Sequence, residues 1–387
     1  MKIGLVSPYD FSHPGGVTEH IRHLGHWLTE MGHEVRTFAP SSRHDAEGQY
    51  PGFYRIGRVF RLPANDSVAR VTLSFHLARR VSEILDGERF DVLHFHEPLM
   101  PALPLTLLRM AQTVSVGTFH AFARSNLGYY YGRPILKPYL RHLGATIAVS
   151  QPARDFVRQY FPEVDPVVVP NGVDVDRFGA DLTPIHHLRD GCVNFLFVGR
   201  LEKRKGLGDL ITAFQHASSR LDRVRLIIVG DGPLRGSVES MVARRRLKNV
   251  VMVGYVPAEV LPRYHASADV FCAPASGRES FGIVLLEAMA AGLPVIATEI
   301  PGYLSVVAAG VDSLTVRPNS PIEMGAAMTV LARDPELRQR LGAAGRAKAP
   351  LYAWPRVAAQ VVEVYERARR LSQGEVSGVH DQIPVLG

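Results

Sequence analysis

The sequence predicts an α/β protein of two Rossmann-like domains, each a parallel sheet covered on both faces by helices. Three observations carry that expectation. The chain has 387 residues, more than one hydrophobic core usually organises, so two units of roughly 150 to 200 residues are expected. Short apolar runs alternate with helical patterns along its length, and strands alternating with helices at this pace imply parallel pairing with both faces covered. The alternation is punctuated at Pro170-Asn171-Gly172, a turn-forming tripeptide. The expected divisions are an amino-terminal domain over 1–170, a second over 171–352, a helical segment over 353–372 and a loose tail over 373–387.

In chain order, 2–8 reads as a strand, His13-Pro14-Gly15-Gly16-Val17 as a flexible turn, 18–31 as a helix closed by Gly32, and 34–39 as a strand. The loop after the first strand occupies the position where open α/β sheets bind ligands. It lacks a G-x-G-x-x-G fingerprint, which disfavours a nicotinamide site. Gly15 and Gly16 would let the backbone approach a phosphate, although a bare glycine pair fits an ordinary tight turn equally well. Residues 43–64 read as loop with short strands, 74–85 as a helix, 91–96 as a strand ending in Glu97-Pro98, 101–110 as a helix, and 114–119 as a strand leading to His120. A strand over 146–149 precedes Ser150, a helix cap, and 167–169 closes the first half. The second half predicts strands over 194–198, 225–229, 250–253, 269–273, 294–298 and 313–316, and a last helix over 355–370.

A net charge of +7 and a pI near 9.5 point to an anionic partner: a lipid surface, a nucleic acid or a phosphorylated substrate. Between Glu97 and Asp155 there is no acidic residue, while Arg109, Arg124, Arg133, Lys137, Arg141 and Arg154 fall there, interleaved with Tyr129, Tyr130, Tyr131 and Tyr139. No nucleic-acid motif accompanies them. The immediate amino-terminal strand does not resemble a signal peptide, and Pro101, Pro104 and Arg109 interrupt the most apolar run, so no membrane span is expected. Cys192 and Cys272 have no metal or redox spacing and read as reduced, buried thiols of a cytosolic protein.

Residues 279–297 read as loop, helix and strand, with Ser280 capping the helix and Gly292 and Pro294 closing it. Backbone N–H groups of Phe281, Gly282 and Ile283 would then face a ligand. Glu279 and Glu287 can accept hydrogen bonds from sugar or ribose hydroxyls, although taken alone a dipole-favoured acid and a solvated glutamate account for them better. Gly199-Arg200-Leu201-Glu202-Lys203-Arg204-Lys205-Gly206 follows a strand and suits a diphosphate; a solvated basic turn fits its composition equally. His94, His96 and Glu97 lack further ligands at usable spacing and are read as a strand end lining a cleft, so no metal-binding residue is assigned. Asp174-Val175-Asp176 follows an inter-domain turn and is not taken as a metal motif.

Glu279-Ser280-Phe281-Gly282-Ile283, the following Glu287-Ala288-Met289-Ala290 with Gly292-x-Pro294-Val295, the Gly199 to Gly206 loop, and Pro170-Asn171-Gly172-Val173-Asp174 with Phe178 together resemble the retaining glycosyltransferases of family 4. The resemblance covers nearly the whole chain. It implies the GT-B architecture, with two sheets facing across a cleft and the final helix crossing back onto the first domain. It implies a nucleotide diphosphate sugar as donor, retention at the anomeric carbon, and no cofactor. By the same resemblance Arg200 and Lys205 hold the diphosphate with Arg204 assisting, and Glu279 and His120 complete the catalytic set, His120 touching the transferred sugar. Gly16, Thr18, Val256, Ser280, Phe281, Gly282, Ile283 and Glu287 bind the donor, Glu287 through the ribose. A front-face attack, with the diphosphate taking the acceptor's proton, is implied as well.

The amino end resembles bacterial phosphatidylinositol mannosyltransferases through Ser7-Pro8-Tyr9-Asp10-Phe11-Ser12-His13-Pro14-Gly15-Gly16-Val17, Asn65-Asp66-Ser67-Val68-Ala69-Arg70 and His94-Phe95-His96-Glu97-Pro98. Departures stand at Thr18, Ala64 and Pro257. This implies Tyr9, Asn65 and Arg70 as acceptor residues, GDP-mannose ahead of UDP-glucose as donor, phosphatidylinositol as acceptor, and a peripheral place on the inner face of the cell membrane. The basic and aromatic segment, with Arg79 and Arg80, suits an anionic lipid surface. A glucosyltransferase acting on diacylglycerol or on a soluble or polysaccharide acceptor is the alternative within the class. A binding module without turnover is the alternative outside it, and would not need Arg200, Lys205, Glu279 and Glu287 together. Oligomeric state is left open.

Overall fold

A computed structural model describes residues 1–374 apart from 14, 44, 65–66, 73–76, 123–126 and 180–181. Asn65 and the expected tail beyond 374 therefore lie outside the described residues. The chain forms two compact units, one of Met1–Gly172 completed by the segment from Trp354, the other Val173–Ala353.

The first unit contains β1 (Lys2–Val6), β2 (Glu34–Ala39), β3 (Phe53–Arg55), β4 (Val59–Ala64), β5 (Ser67–Thr72), β6 (Val92–His96), β7 (Val114–Phe119), β8 (Ala145–Ala148) and β9 (Val167–Val168). Its seven-stranded sheet runs β3-β2-β1-β6-β7-β8-β9, parallel throughout. Strand order reverses between β1 and β6, so the connections leaving their carboxyl ends diverge and open a crevice there. Both faces are buried: Ile3 and Leu5 pack on one side, Val6, Leu93 and Phe95 on the other. Helix Trp354–Ser372 closes the first face with Trp354, Val357, Val361, Val364 and Tyr365.

Four expectations need correction. The first helix spans Gly16–Glu30, so Gly16 is its opening residue rather than part of a turn. Residues 43–64 do hold short strands, but β4 leaves the main sheet and pairs antiparallel with β5 as a hairpin, which the sequence did not indicate. The expected 74–85 helix is Ala78–Glu88. Leu127–Leu140 is a helix despite Pro134 and Pro138 within it, and its pattern was not read as one. Ser150 caps as expected, its Oγ accepting from the Ala153 N–H at 3.2 Å.

The second unit is a six-stranded parallel sheet of β10 (Val193–Val198), β11 (Val224–Val229), β12 (Val250–Gly254), β13 (Val270–Ala273), β14 (Val295–Thr298) and β15 (Ser313–Val316), ordered β12-β11-β10-β13-β14-β15. Counted within the unit, that order is 3-2-1-4-5-6, the doubly wound arrangement whose crevice lies between its first and fourth strands, here β10 and β13. Phe195 and Phe197 join the core on one face and Leu196 the core on the other, which is why these strands read as unbroken apolar runs. Cys272 is buried in β13, whereas Cys192 is only half-buried, contrary to expectation.

Candidate functional site

In the second unit the loops leaving β10 and β13 are locked together. The Ser276 N–H donates to the Arg204 carbonyl at 2.9 Å, and Gly206, at φ +70°, lies so close that a Cβ there would be 1.9 Å from the Pro274 carbonyl oxygen. This contact sets the cationic β10 loop against Glu279 of the β13 loop. Glu202, 1% exposed, receives Arg200 Nε at 3.0 Å and Arg204 Nε at 3.2 Å. Glu279 receives Lys205 Nζ at 2.8 Å and is also paired with Arg204. Three cations thus share two carboxylates, leaving positive charge for a further anion. Arg200 remains 44% exposed, so its guanidinium can turn to a ligand without first leaving a buried site.

Helix Ile283–Ala290 begins beside this cluster. The N-cap residue is Gly282, at φ +118°, rather than the expected Ser280. The left-handed turn suits glycine, and a Cβ at Gly282 would meet the Tyr303 ring at 2.8 Å. The N–H groups of Ile283 and Val284 precede the helical hydrogen-bond ladder and form a site of partial positive charge. Phe281 is buried in the core below, with Val256 and Ile283 packed against the same cluster. Glu287 is half-buried, and burial raises its pKa to about 7 against the opposing pull of Arg177 and Lys205, so near neutrality its carboxyl can both donate and accept.

Arg177 was not singled out from sequence. Its guanidinium donates to the Ala258 carbonyl and lies 5.3 Å from the Phe178 ring centroid. Asp174 Oδ1 accepts from the Arg177 N–H at 3.1 Å, making Asp174-Val175-Asp176 part of a turn.

In the first unit the carboxyl ends of β6 and β7 gather buried histidines. His94 is engaged at both nitrogens, Nδ1 with the Tyr365 hydroxyl and Nε2 with Thr118 Oγ1, each at 2.6 Å. His96 Nδ1 lies 2.9 Å from His120 Nε2, while His96 Nε2 is buried without a hydrogen-bond partner. A bare lone pair is better tolerated in such a place than an orphaned N–H. The His96 proton is therefore assigned to Nδ1, which donates to His120 Nε2, and the His120 proton to Nδ1. Glu97, at φ +54°, turns its carboxylate back to accept the His120 backbone N–H at 2.7 Å. Burial raises its pKa to about 7. His20, on the first helix, meets the Asn171 side-chain oxygen through Nδ1 at 2.8 Å.

Tyr9 and Arg70 are brought together through the backbone: Tyr9 bridges Val71, and the Asp10 N–H donates to the Arg70 carbonyl at 2.8 Å. Burial pushes the Tyr9 phenol up, with Glu97 adding to the shift. Asp10, not assigned a role from sequence, accepts the Ser42 N–H at 2.9 Å through Oδ1, whereas its buried Oδ2 has no partner. Gly16 has open space where a Cβ would stand. Thr18 is 2% exposed and turned into the protein.

The basic segment is less cationic than its composition suggests. Glu163 pairs with Lys137 at 3.2 Å and Arg133 at 3.7 Å, and Asp165 with Arg154 at 2.7 Å. What helix Leu127–Leu140 does present is apolar and aromatic: Leu127, Tyr130, Tyr131 and Ile135 are each about two-thirds exposed or more.

The buried histidines set an expected pH response. Burial lowers His20 to about 4, His94 to about 3 and His265 to about 4, and holds His96 and His120 well below the ordinary value. As pH falls below about 6.5 the unfolded chain binds protons that the folded chain refuses, so stability is lost progressively toward pH 4. Glu97 and Glu287 act oppositely, holding a proton in the fold between about 4.5 and 7. The imidazoles outnumber them, so the melting temperature is expected to drop between pH 7 and pH 5. Calorimetry showing a rise across that interval would contradict these assignments.

Two family models match the chain: "Glycosyltransferase Family 4" over residues 14–177 and "Glycosyl transferases group 1" over residues 184–348. A phosphatidyl-myo-inositol mannosyltransferase of Mycobacterium tuberculosis is 38% identical across 95% of this chain and 97% of its own. One from Propionibacterium freudenreichii is 33% identical across 94% of each. Among solved structures, Anabaena HepE in complex with UDP superposes with a TM-score of 0.78 at 19% identity, covering 95% of this chain and all of its own. A sucrose-phosphate synthase from Thermosynechococcus elongatus gives 0.74 at 21%, covering 95% and 98%. These two likenesses show the fold.

Proposed function

The chain belongs to glycosyltransferase family 4, among relatives of the phosphatidyl-myo-inositol mannosyltransferases, and on that premise we propose that it moves mannose from GDP-mannose to phosphatidylinositol with retention. The observation that carries the reading is the convergence of Arg204 and Lys205 on Glu279, with Arg200 held alongside on Glu202, beside the start of helix Ile283–Ala290. As the bond from the sugar to the diphosphate breaks, negative charge grows on the departing phosphate. Fixed cations and helix-start amides stabilise that charge more than the ground state. Glu287 is suited to the ribose hydroxyls, because a carboxyl near its pKa pairs with either end of a hydroxyl. His120, with its proton on Nδ1, offers a donor to the transferred sugar. Tyr9 and Arg70 bind the inositol phosphate.

Incubation with labelled GDP-mannose, UDP-glucose or UDP-galactose and vesicles of phosphatidylinositol or diacylglycerol tests this. Label in the lipid phase only with GDP-mannose and phosphatidylinositol is expected. Transfer to diacylglycerol from a UDP sugar would replace the proposed acceptor and donor, and donor binding without transfer would make the protein a binder.

No described helix is long and apolar enough to cross a membrane, and we place the protein on the inner membrane face through helix Leu127–Leu140. With Arg133 and Lys137 already paired to Glu163, the exposed aromatic and aliphatic side chains supply most of the attraction, and salt dependence is modest. Replacing Tyr130 and Tyr131 by Ser should weaken sedimentation with anionic vesicles by about tenfold, equivalent to about 1.4 kcal/mol. Unchanged binding removes this helix from the interface.

A further inference from the structure

Spacing alone set metal aside for His94, His96 and Glu97 because no further ligands followed in sequence. The fold supplies them from elsewhere. His20 on the first helix, His96 at the end of β6 and His120 after β7 each present a ring nitrogen, and the three lie within 4.8 Å of one another, all buried. Their ring centroids are 4.8 Å apart for His20 and His120, 5.2 Å for His96 and His120, and 5.3 Å for His20 and His96. Two further observations point to a ligand. The Asn171 oxygen accepts the His20 Nδ1 proton, which leaves Nε2 bare and reproduces the outer-shell bond that orients metal-binding histidines. His96 Nε2 is buried with nothing to satisfy it.

We propose that His20, His96 and His120 form a binding site for a divalent transition-metal ion of the zinc class, and that its occupation shuts off sugar transfer. Neutral imidazole is the ligating form. Three nitrogens around a tetrahedral ion stand about 3.4 Å apart at bond lengths of about 2.0–2.1 Å, so a pair at the 4.8 Å limit closes by about 1.4 Å and the fourth position is left for water. Occupation exchanges the His96–His120 hydrogen bond for metal–nitrogen bonds, and each ring keeps its proton on the nitrogen that does not ligate. An all-nitrogen set selects zinc, cobalt, nickel or copper over magnesium and calcium, which prefer oxygen. Inhibition rests on the reading of His120 as the residue that meets the transferred sugar: held by metal, it is withdrawn from that contact. The ion is thus an inhibitor and not a cofactor.

The test uses the full chain stripped with chelator and titrated with cobalt(II). Wild type should develop visible absorption of a tetrahedral nitrogen site that saturates at one equivalent and is displaced by zinc. His20→Asn and His96→Gln should lose it, whereas His187→Gln, in the other unit, should keep it. Should His20→Asn fail to fold, His120→Asn takes its place. Zinc at the concentration that displaces cobalt should lower transfer at least tenfold, with recovery on chelation and no effect of magnesium. Absence of saturable absorption, or its survival in both cluster variants, overturns the site. Saturable absorption with undiminished transfer overturns the inhibition and the role given to His120, while leaving the metal site and the glycosyltransferase assignment standing.

Discussion

Lys205→Ala is expected to lower kcat at saturating donor by about two to three orders of magnitude, the usual loss when one fixed donor to a developing oxyanion is removed. Lys205 Nζ lies 2.8 Å from Glu279 with its side chain 12% exposed, so it is held in position before the donor arrives. Arg204 also pairs with Glu279, so the carboxylate is not abandoned when Lys205 is lost and the melting temperature should move little. Glu279→Ala should cost a comparable factor by a different route, since it frees Lys205 and Arg204 to take other positions. Glu279→Gln should recover part of the loss by keeping a hydrogen-bond acceptor. Steady-state kinetics beside thermal melts separate the effects: full kcat in both alanine variants would remove the pair from the mechanism, and a large fall in melting temperature would make it a structural one.

Gly206→Ala is expected to produce the largest loss of stability among single substitutions at this site, about 2–5 kcal/mol. The residue adopts φ +70°, costing about 1–2 kcal/mol for a side chain. Its Cβ would press to 1.9 Å from the Pro274 carbonyl, a backbone atom that cannot swing aside as a side chain can, adding about 1–3 kcal/mol of overpacking strain. For a unit of this size that corresponds to a fall of roughly 4–20 °C in its transition. An unchanged melting temperature would mean that the β10 and β13 loops are not locked as described.

Much of the second unit was legible because its strands are buried on both faces. Residues such as Phe195-Leu196-Phe197 leave little choice but a central parallel strand, and the motif residues Lys205 and Glu279 come together as the switch between β10 and β13 requires. Ser280 was misread as a cap because the residue that matters, Gly282, caps by backbone conformation and offers no side-chain signal. Helix Leu127–Leu140 was hidden by two prolines and a run of three tyrosines, and hairpin β4–β5 by Pro63 and its polar surroundings. The histidine cluster was only half visible. His94, His96 and His120 mark strand ends, but nothing in local spacing ties His20 to them. Arg177 belongs to no motif of its own and follows the Asp174-Val175-Asp176 turn, so local sequence carries no sign of its place near Glu287. The basic segment misled for a related reason, since its neutralising carboxylates, Glu163 and Asp165, lie just past its end.

The amino-terminal unit takes its last helix from the far end of the chain. Trp354, Val357, Val361, Val364 and Tyr365 are buried against it, and the Tyr365 hydroxyl contacts His94, which in turn bonds the strand bearing Thr118. During synthesis, then, the half that leaves the ribosome first cannot be sealed until the final helix follows it, whereas Val173–Ala353 is already whole. The portion begun earliest matures latest, and a nascent chain stalled short of residue 354 would hold an exposed apolar face where its histidines are meant to be enclosed.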